Sequence, residues 1–215
     1  MKSAFEDLRD LIDFIQPAYT KITNEWLCST QRKINLKNHL VADISTDGLI
    51  YKSIMEYVQW LSERSAGITL QLKNICDCEV RARVKAQNSI EFKIQNYKTE
   101  RHAFGKVPIN KCLNDLYGCR IVLREPLTYG EIHSFIDECY QDRYRCINSS
   151  KFDYKAVHMY FKESNHAFPW ELQIWNTQDA ERNLKSHKEY KQAYTAWEKE
   201  IKEGGLSPWS TTSSL

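Results

Sequence analysis

At 215 residues and 25.4 kDa, with 42% hydrophobic and 27% charged residues, the chain can bury a core and reads as one large soluble domain. A net charge of +2 gives no bulk attraction to nucleic acid or membrane, so only the placement of charges can speak about partners. No apolar run approaches the roughly 20 residues that span a bilayer, and acids interrupt the first turns, so neither membrane anchor nor export signal is expected. A cytoplasmic location follows as an expectation, with the seven cysteines reduced. Cys76-Asp-Cys78 lacks a second Cys or His pair at zinc spacing and reads as buried small hydrophobes.

Residues 2 to 41 carry helical periodicity: Phe5, Leu8, Leu11, Ile12 and Ile15 form a stripe, Pro17 marks a kink or a new start, and Ile22, Trp26, Ile34, Leu36 and Leu40 continue the pattern. Arg32, Lys33 and Lys37 sit on its polar side, either as a solvated face or as a contact for a nucleic-acid backbone. After a turn cluster at 43 to 48, a second helix is expected from Leu49 to Ser65, ending at Gly67, and a third from Ile68 to Cys76.

Residues 81 to 85 alternate Arg81, Arg83 and Lys85 with Ala82 and Val84, the period of a strand with one wet face. Asn88 and Ser89 offer a helix N-cap, and Ser89 and Lys93 lie one turn apart on the helix that follows, 88 to 101. A basic strand running into a helix N-terminus is a place to hold phosphates, or else a solvated strand edge. His102 to Asn114 reads as a mobile loop. Asp115 then stands at the mouth of an apolar strand, Leu116 to Leu123, with Gly118 where something approaches closely and Arg120 inside it. A helix from Thr128 to Tyr140, a strand near Arg143 to Ile147, and strands Tyr154–Phe161 and Pro169–Trp175 follow. Tyr154, Ala156, His158 and Tyr160 share one face, as do Glu171, Gln173 and Trp175. A charged helix over 178 to 202 carries His187, Tyr190, Tyr194 and Trp197, and residues 204–215 read as a disordered tail.

The expected fold is α/β: a mixed five-stranded sheet flanked by helices, with a helical N-terminal layer (1–76), a core with its C-terminal helix (77–203), and no internal repeat. Asp115 and Glu171, each amid apolar neighbours, either pair with nearby cations or hold a hard metal ion; Mg²⁺ takes one or two protein carboxylates plus substrate phosphates. Beside Arg83, Lys85, Lys93 and Arg120 they compose a site for a nucleoside triphosphate. No P-loop, Rossmann turn or nucleophile elbow occurs in the sequence. Tyr154 and His158 suit an acceptor nucleotide, a ring to stack on and a side chain to position a ribose or phosphate.

The ordered segments RVKAQNSIEFK, DLYGCR, KFDYKAVH, ELQI and SHKEYK, spread over roughly residues 70 to 195, resemble the synthetase domain of RelA/SpoT-type alarmone synthetases. With no His-Asp dipeptide of the hydrolase domain, the chain is most similar to a stand-alone small synthetase of nucleotidyltransferase-like fold. The resemblance implies transfer of the β,γ-pyrophosphate of ATP to a ribose hydroxyl, with Asp115 and Glu171 as the catalytic Mg²⁺-binding pair. It implies an ATP-binding set of Arg83, Lys85, Ser89, Lys93 and Arg120, and an acceptor-binding set of Lys151, Tyr154, His158 and Gln173.

Two departures point to a changed acceptor. Phe152-Asp153 stands where guanosine-alarmone synthetases usually carry Asn-Gly or Ser-Gly, in a shorter loop, and Trp175-Asn176 replaces their usual Arg-Thr. Such departures resemble the toxic small alarmone synthetases of toxin–antitoxin pairs. The implied acceptor is then the 3′ end of tRNA, or alternatively a guanosine or adenosine nucleotide. Arg32, Lys33 and Lys37 become a tRNA patch, an antitoxin protein becomes a partner, with Trp209 one contact for it, and a homo-oligomer is a further expectation.

Overall fold

The computed structural model describes residues 2–72, 74–141 and 143–204. Two long helices open the chain. Helix α1 (Ala4–Ser29) starts at a capping box in which Ser3 and Glu6 satisfy each other's backbone N–H groups. Leu8, Leu11, Ile12, Ile15, Tyr19, Ile22 and Trp26 recur at helical spacing and are all buried. Pro17 lies inside this helix without ending it. The expected continuation to residue 41 is replaced by an irregular strap, because Leu36 is buried while its backbone bonds outward to Asn165 and Asn110. Helix α2 (Leu49–Leu72) runs straight through Gly67, where a Cβ would meet open space, so the separate third helix is absent.

Strand β1 (Glu79–Val84) leads into α3 (Gln87–Tyr97), and a single turn, α4 (Ile109–Cys112), precedes β2 (Tyr117–Leu123). Helix α5 (Tyr129–Tyr140), strands β3 (Arg145–Asn148), β4 (Val157–Phe161) and β5 (Trp170–Asn176), and α6 (Thr177–Gly204) complete the order. The sheet is mixed and five-stranded, in the order β1-β2-β5-β4-β3; only the β2–β5 pair is parallel. This is the α/β architecture expected from the alternation of patterns.

One face of the sheet is apolar. Tyr117, Cys119, Ile121, Leu172, Ile174, Met159 and Phe161 are buried within the same core as α1, α2 and α5. Tyr19 of α1 sits edge-on to Trp170 at 5.4 Å, and the Trp170 indole donates to the Tyr57 hydroxyl of α2 at 3.0 Å. Arg124, past the end of β2, reaches the buried Asp7 of α1 at 3.6 Å and Asp77 at 3.5 Å, which places it in the scaffold. Cys76 and Cys78 are buried thiols, as expected, and Cys78 donates to Asp7.

The segment 102–114 is anchored where a mobile loop was expected. Val41 N–H donates to Val107 O, Ile109 N–H to His39 O and Asn110 N–H to Leu36 O, so strap and segment hold each other. Gly105 is required there: its φ is +79°, and a Cβ would lie 2.8 Å from the Ala42 nitrogen. Beyond Gly204 the expected tail, with Trp209, lies outside the described residues, as do the side chains of His187, Tyr190, Tyr194 and Trp197. Among the described residues no helix is long and apolar enough to cross a membrane.

Candidate active site

The other face of the sheet is polar, and register sets its residues in rows. Arg83 lies opposite Gly118, Gly118 beside Glu171, Glu171 opposite Tyr160, and Tyr160 opposite Arg145. Two residues along, Arg81, Arg120, Gln173 and His158 form the next row. Between β1, β2 and β5 a cleft of about 280 Å³ is lined by Arg81, Arg83, Asp115, Gly118, Arg120, Glu171 and Gln173. A Cβ on Gly118 would meet nothing within 4 Å, so the missing side chain keeps the cleft floor open.

Asp115 ends the loop before β2, where Lys85 N–H donates to Leu116 O at 2.9 Å and holds the end of β1 against it. Its two carboxylate oxygens accept from Lys85 Nζ at 2.7 Å and Lys93 Nζ at 2.9 Å. Burial opposes the charge of Asp115, but the two ammonium groups outweigh it and hold the carboxyl well below the usual carboxylate range. Lys93 also donates to Asn114 at 3.3 Å. Burial draws Lys85 below its ordinary pKa against the pull of Asp115, and Asp115 shares its cleft with Arg83 and Arg120.

Glu171 anchors a second network. Its Oε1 lies 3.0 Å from His158 Nδ1 and accepts from the Tyr160 hydroxyl at 3.1 Å, while its Oε2 accepts from Gln173 Nε2 at 2.7 Å. Burial raises its pKa and the repulsion of Asp115 adds to that, yet the His158 and Gln173 contacts bring it below the ordinary value. Gln173 Oε1 accepts from Arg120, whose guanidinium lies 3.6 Å over the Trp175 ring. His158 Nε2 is 2.9 Å from the Tyr154 hydroxyl, and Tyr154 meets Trp175 edge-on at 5.9 Å. Burial pushes the Tyr154 phenol up to about 12, so it stays protonated.

The structure therefore gathers Arg83, Lys85, Lys93, Asp115, Arg120, Glu171, Gln173, His158 and Tyr154 around one sheet face. Details differ from the sequence reading. Lys85 lies beyond β1, and α3 starts with Ala86 as an N-cap that supplies no side-chain bond, so Asn88 and Ser89 lie in the first turn. Tyr154 precedes β4 instead of beginning it. It sits in a turn closed by reciprocal backbone bonds with Lys151, with exposed Phe152 at φ +50°. That turn is pinned by Asn183 of α6, which is fully buried and brackets the Lys155 backbone at 2.8 and 2.7 Å. Arg32, Lys33 and Lys37 lie on the irregular strap; Arg32 lines a groove with Trp26 and Trp60, while Lys37 lines a different cleft.

Tyr160 and Arg81 had no assigned role in the sequence reading. The period-two face already contained Tyr160, but its contact with Glu171 depends on the β4–β5 register.

A family model described as a region found in RelA / SpoT proteins matches residues 82–195, more than half of the chain. The chain belongs to the RelA/SpoT family. It is thus of the pyrophosphokinase, alarmone-synthetase type, and the matched region contains every cleft residue except Arg81. No curated protein matches it in sequence. Among solved structures it is similar to small alarmone synthetase 1 from Bacillus subtilis (17% identity over 65% of this chain and 76% of that one, TM-score 0.38). The same protein bound to its product pppGpp matches at 14% identity over 69% and 90%, TM-score 0.36. Small alarmone synthetase 2 from Bacillus subtilis matches at 17% identity over 68% and 79%, TM-score 0.35.

Proposed function

We propose that this RelA/SpoT protein is an ATP-dependent pyrophosphokinase acting on the 3′ hydroxyl of the tRNA CCA end. It would act in the cytoplasm as an inhibitor of translation held in check by an antitoxin protein. The acceptor oxygen attacks the β-phosphorus of ATP, the bond from that phosphorus to the α–β bridging oxygen breaks, and AMP leaves. Glu171, ionised and buried, accepts the proton of the hydroxyl. Arg83, Arg120 and the Lys85–Asp115–Lys93 cluster bind the triphosphate, with Ser89 in the first turn of α3 as a further donor.

Asp115 and Glu171 line the same cleft and both are hard oxygen donors, so the pair would fit Mg²⁺, beside phosphate oxygens, once an Asp115 oxygen gives up its contact with Lys85 or Lys93. Bound there, the ion would neutralise charge building on the transferred group.

The observation that carries the acceptor is Trp175. It stands where the family resemblance puts an arginine, with its ring buried beneath Arg120, so that Tyr154, His158, Gln173 and Trp175 make an acceptor wall with one arginine fewer. Such a wall suits a terminal nucleoside better than a free nucleotide with its own polyphosphate. Exposed Lys151 beside Tyr154 favours the second reading, a guanosine or adenosine nucleotide as acceptor.

The test is transfer of label from γ-labelled ATP with GDP, GTP, ATP and bulk tRNA offered in parallel, and Glu171→Gln as control. Label on tRNA, lost when the 3′ adenosine is removed and lost at least about a hundredfold in Glu171→Gln, is expected. Label on mononucleotides alone would overturn the tRNA reading.

A further inference from the structure

A second cleft, of about 640 Å³, opens beside the catalytic face at the far edge of the sheet. Five cations line it: Lys37 from the strap, Lys111 from α4, Arg143 and Arg145 at the start of β3, and Lys162 just after β4. Among the described residues no carboxylate lines it and none of the five forms an ion pair. All five are exposed. Lys162 is held below its ordinary pKa by partial burial and by the nearby charges of Lys37 and Arg145. Uncompensated like charges drawn together from four separate stretches of chain are costly unless an anion is brought to them.

The cleft is also joined to the catalytic centre. Tyr160, which donates to Glu171, and Asn114, which accepts from Lys93 and precedes Asp115, both line it. Arg145 lies opposite Tyr160 in the β3–β4 ladder. An anion in the cleft is thus one side chain away from both carboxylates.

We propose that this cleft binds the phosphodiester backbone of a single-stranded nucleic-acid end and feeds its terminal nucleoside to the Glu171 side of the active site. Five dispersed cations match successive phosphates along a strand better than the two adjacent phosphates of one nucleotide. The proposal deepens the tRNA reading and rests on it for the identity of the strand.

The test is fluorescence anisotropy of a labelled single-stranded RNA dodecamer ending in CCA, without ATP, across a salt series. Arg143→Ala with Arg145→Ala should weaken binding and lower the slope of log affinity against log salt by about 1.4, two phosphate contacts' worth for a single strand. Lys21→Ala with Lys188→Ala removes the same charge elsewhere and should leave the slope in place. If the first pair fails to fold by circular dichroism, Lys111→Ala with Lys162→Ala serves instead, with the same expectation. An unchanged slope in the cleft variant, an equal fall in the control pair, or no binding by the unaltered chain overturns the proposal. So does displacement of the RNA by GDP with matching loss of GDP affinity in the cleft variant, which would assign the cations to nucleotide phosphates. Because binding is read without turnover, a failure of tRNA as acceptor in the transfer assay leaves this result standing, and the reverse.

Discussion

Asp115 is the most constrained residue of the site, with both oxygens paired to ammonium groups in a largely buried setting. A folded-state pKa below the unfolded value means that the pairing contributes stability above the ordinary carboxylate pKa, about 4, and loses it as pH falls below that. Asp115→Asn should therefore destabilise the protein by about 3 kcal/mol near neutrality, because two buried ammonium groups lose their counter-charge. Chemical denaturation of both proteins from pH 7 down to about 3 checks this: the difference should shrink below about pH 4. A gap of constant size across that range would show that Asp115 titrates normally. Residue types alone named Asp115 and Glu171 as acids at strand positions among cations. They left open whether those acids pair or bind metal, since that depends on which cations the fold brings within 3 Å.

Among the elements, the turn between β3 and β4 is the one that the proposed function ties to acceptor choice. The residue after its ring-bearing Tyr154, Lys155, has its backbone held by Asn183, 28 positions further along the sequence in α6. Asn183→Ala removes both bonds to the Lys155 backbone and leaves two buried polar groups unsatisfied, a local cost of about 1–3 kcal/mol. Steady-state kinetics should show KM for the acceptor rising severalfold while KM for ATP holds. A parallel rise in both would place Asn183 in general stability. Sequence periodicity put Tyr154 at the start of a strand, because alternation cannot distinguish a strand from a turn whose residues happen to alternate. The phosphate-side elements were legible for the opposite reason: β1 and β2 carry a sustained period of two, and their order in the chain makes them neighbours.

Among the described residues, one sheet divides two environments, an apolar face closed by α1, α2 and α5 and a polar face with two cation-lined clefts beside it. Attraction of a long polyanion to the outer cleft is screened by salt far more than burial of ATP phosphates beside Asp115. On the proposed tRNA reading, raising salt from about 50 to 200 mM should thus raise KM for tRNA by at least about tenfold, with a much smaller change in KM for ATP. Equal salt sensitivity for the two substrates would confine all recognition to the inner cleft.

Local pattern determined much here: the α/β class and the wet and dry faces of the strands, whereas the acids, cations and ring were given their roles through resemblance to the RelA/SpoT motifs. Class and faces depend on spacings of two and of three to four residues, which a single sequence displays. Tertiary structure decided the rest. Only the β4–β5 register brings Tyr160 to Glu171, and only packing of α6 pins the Tyr154 turn. Only the bonds between strap and segment 106–110 set Lys37 apart from Arg32 and beside Arg145 and Lys162. Contacts between residues from different elements leave no periodic trace, because they are selected by the shape of the whole core.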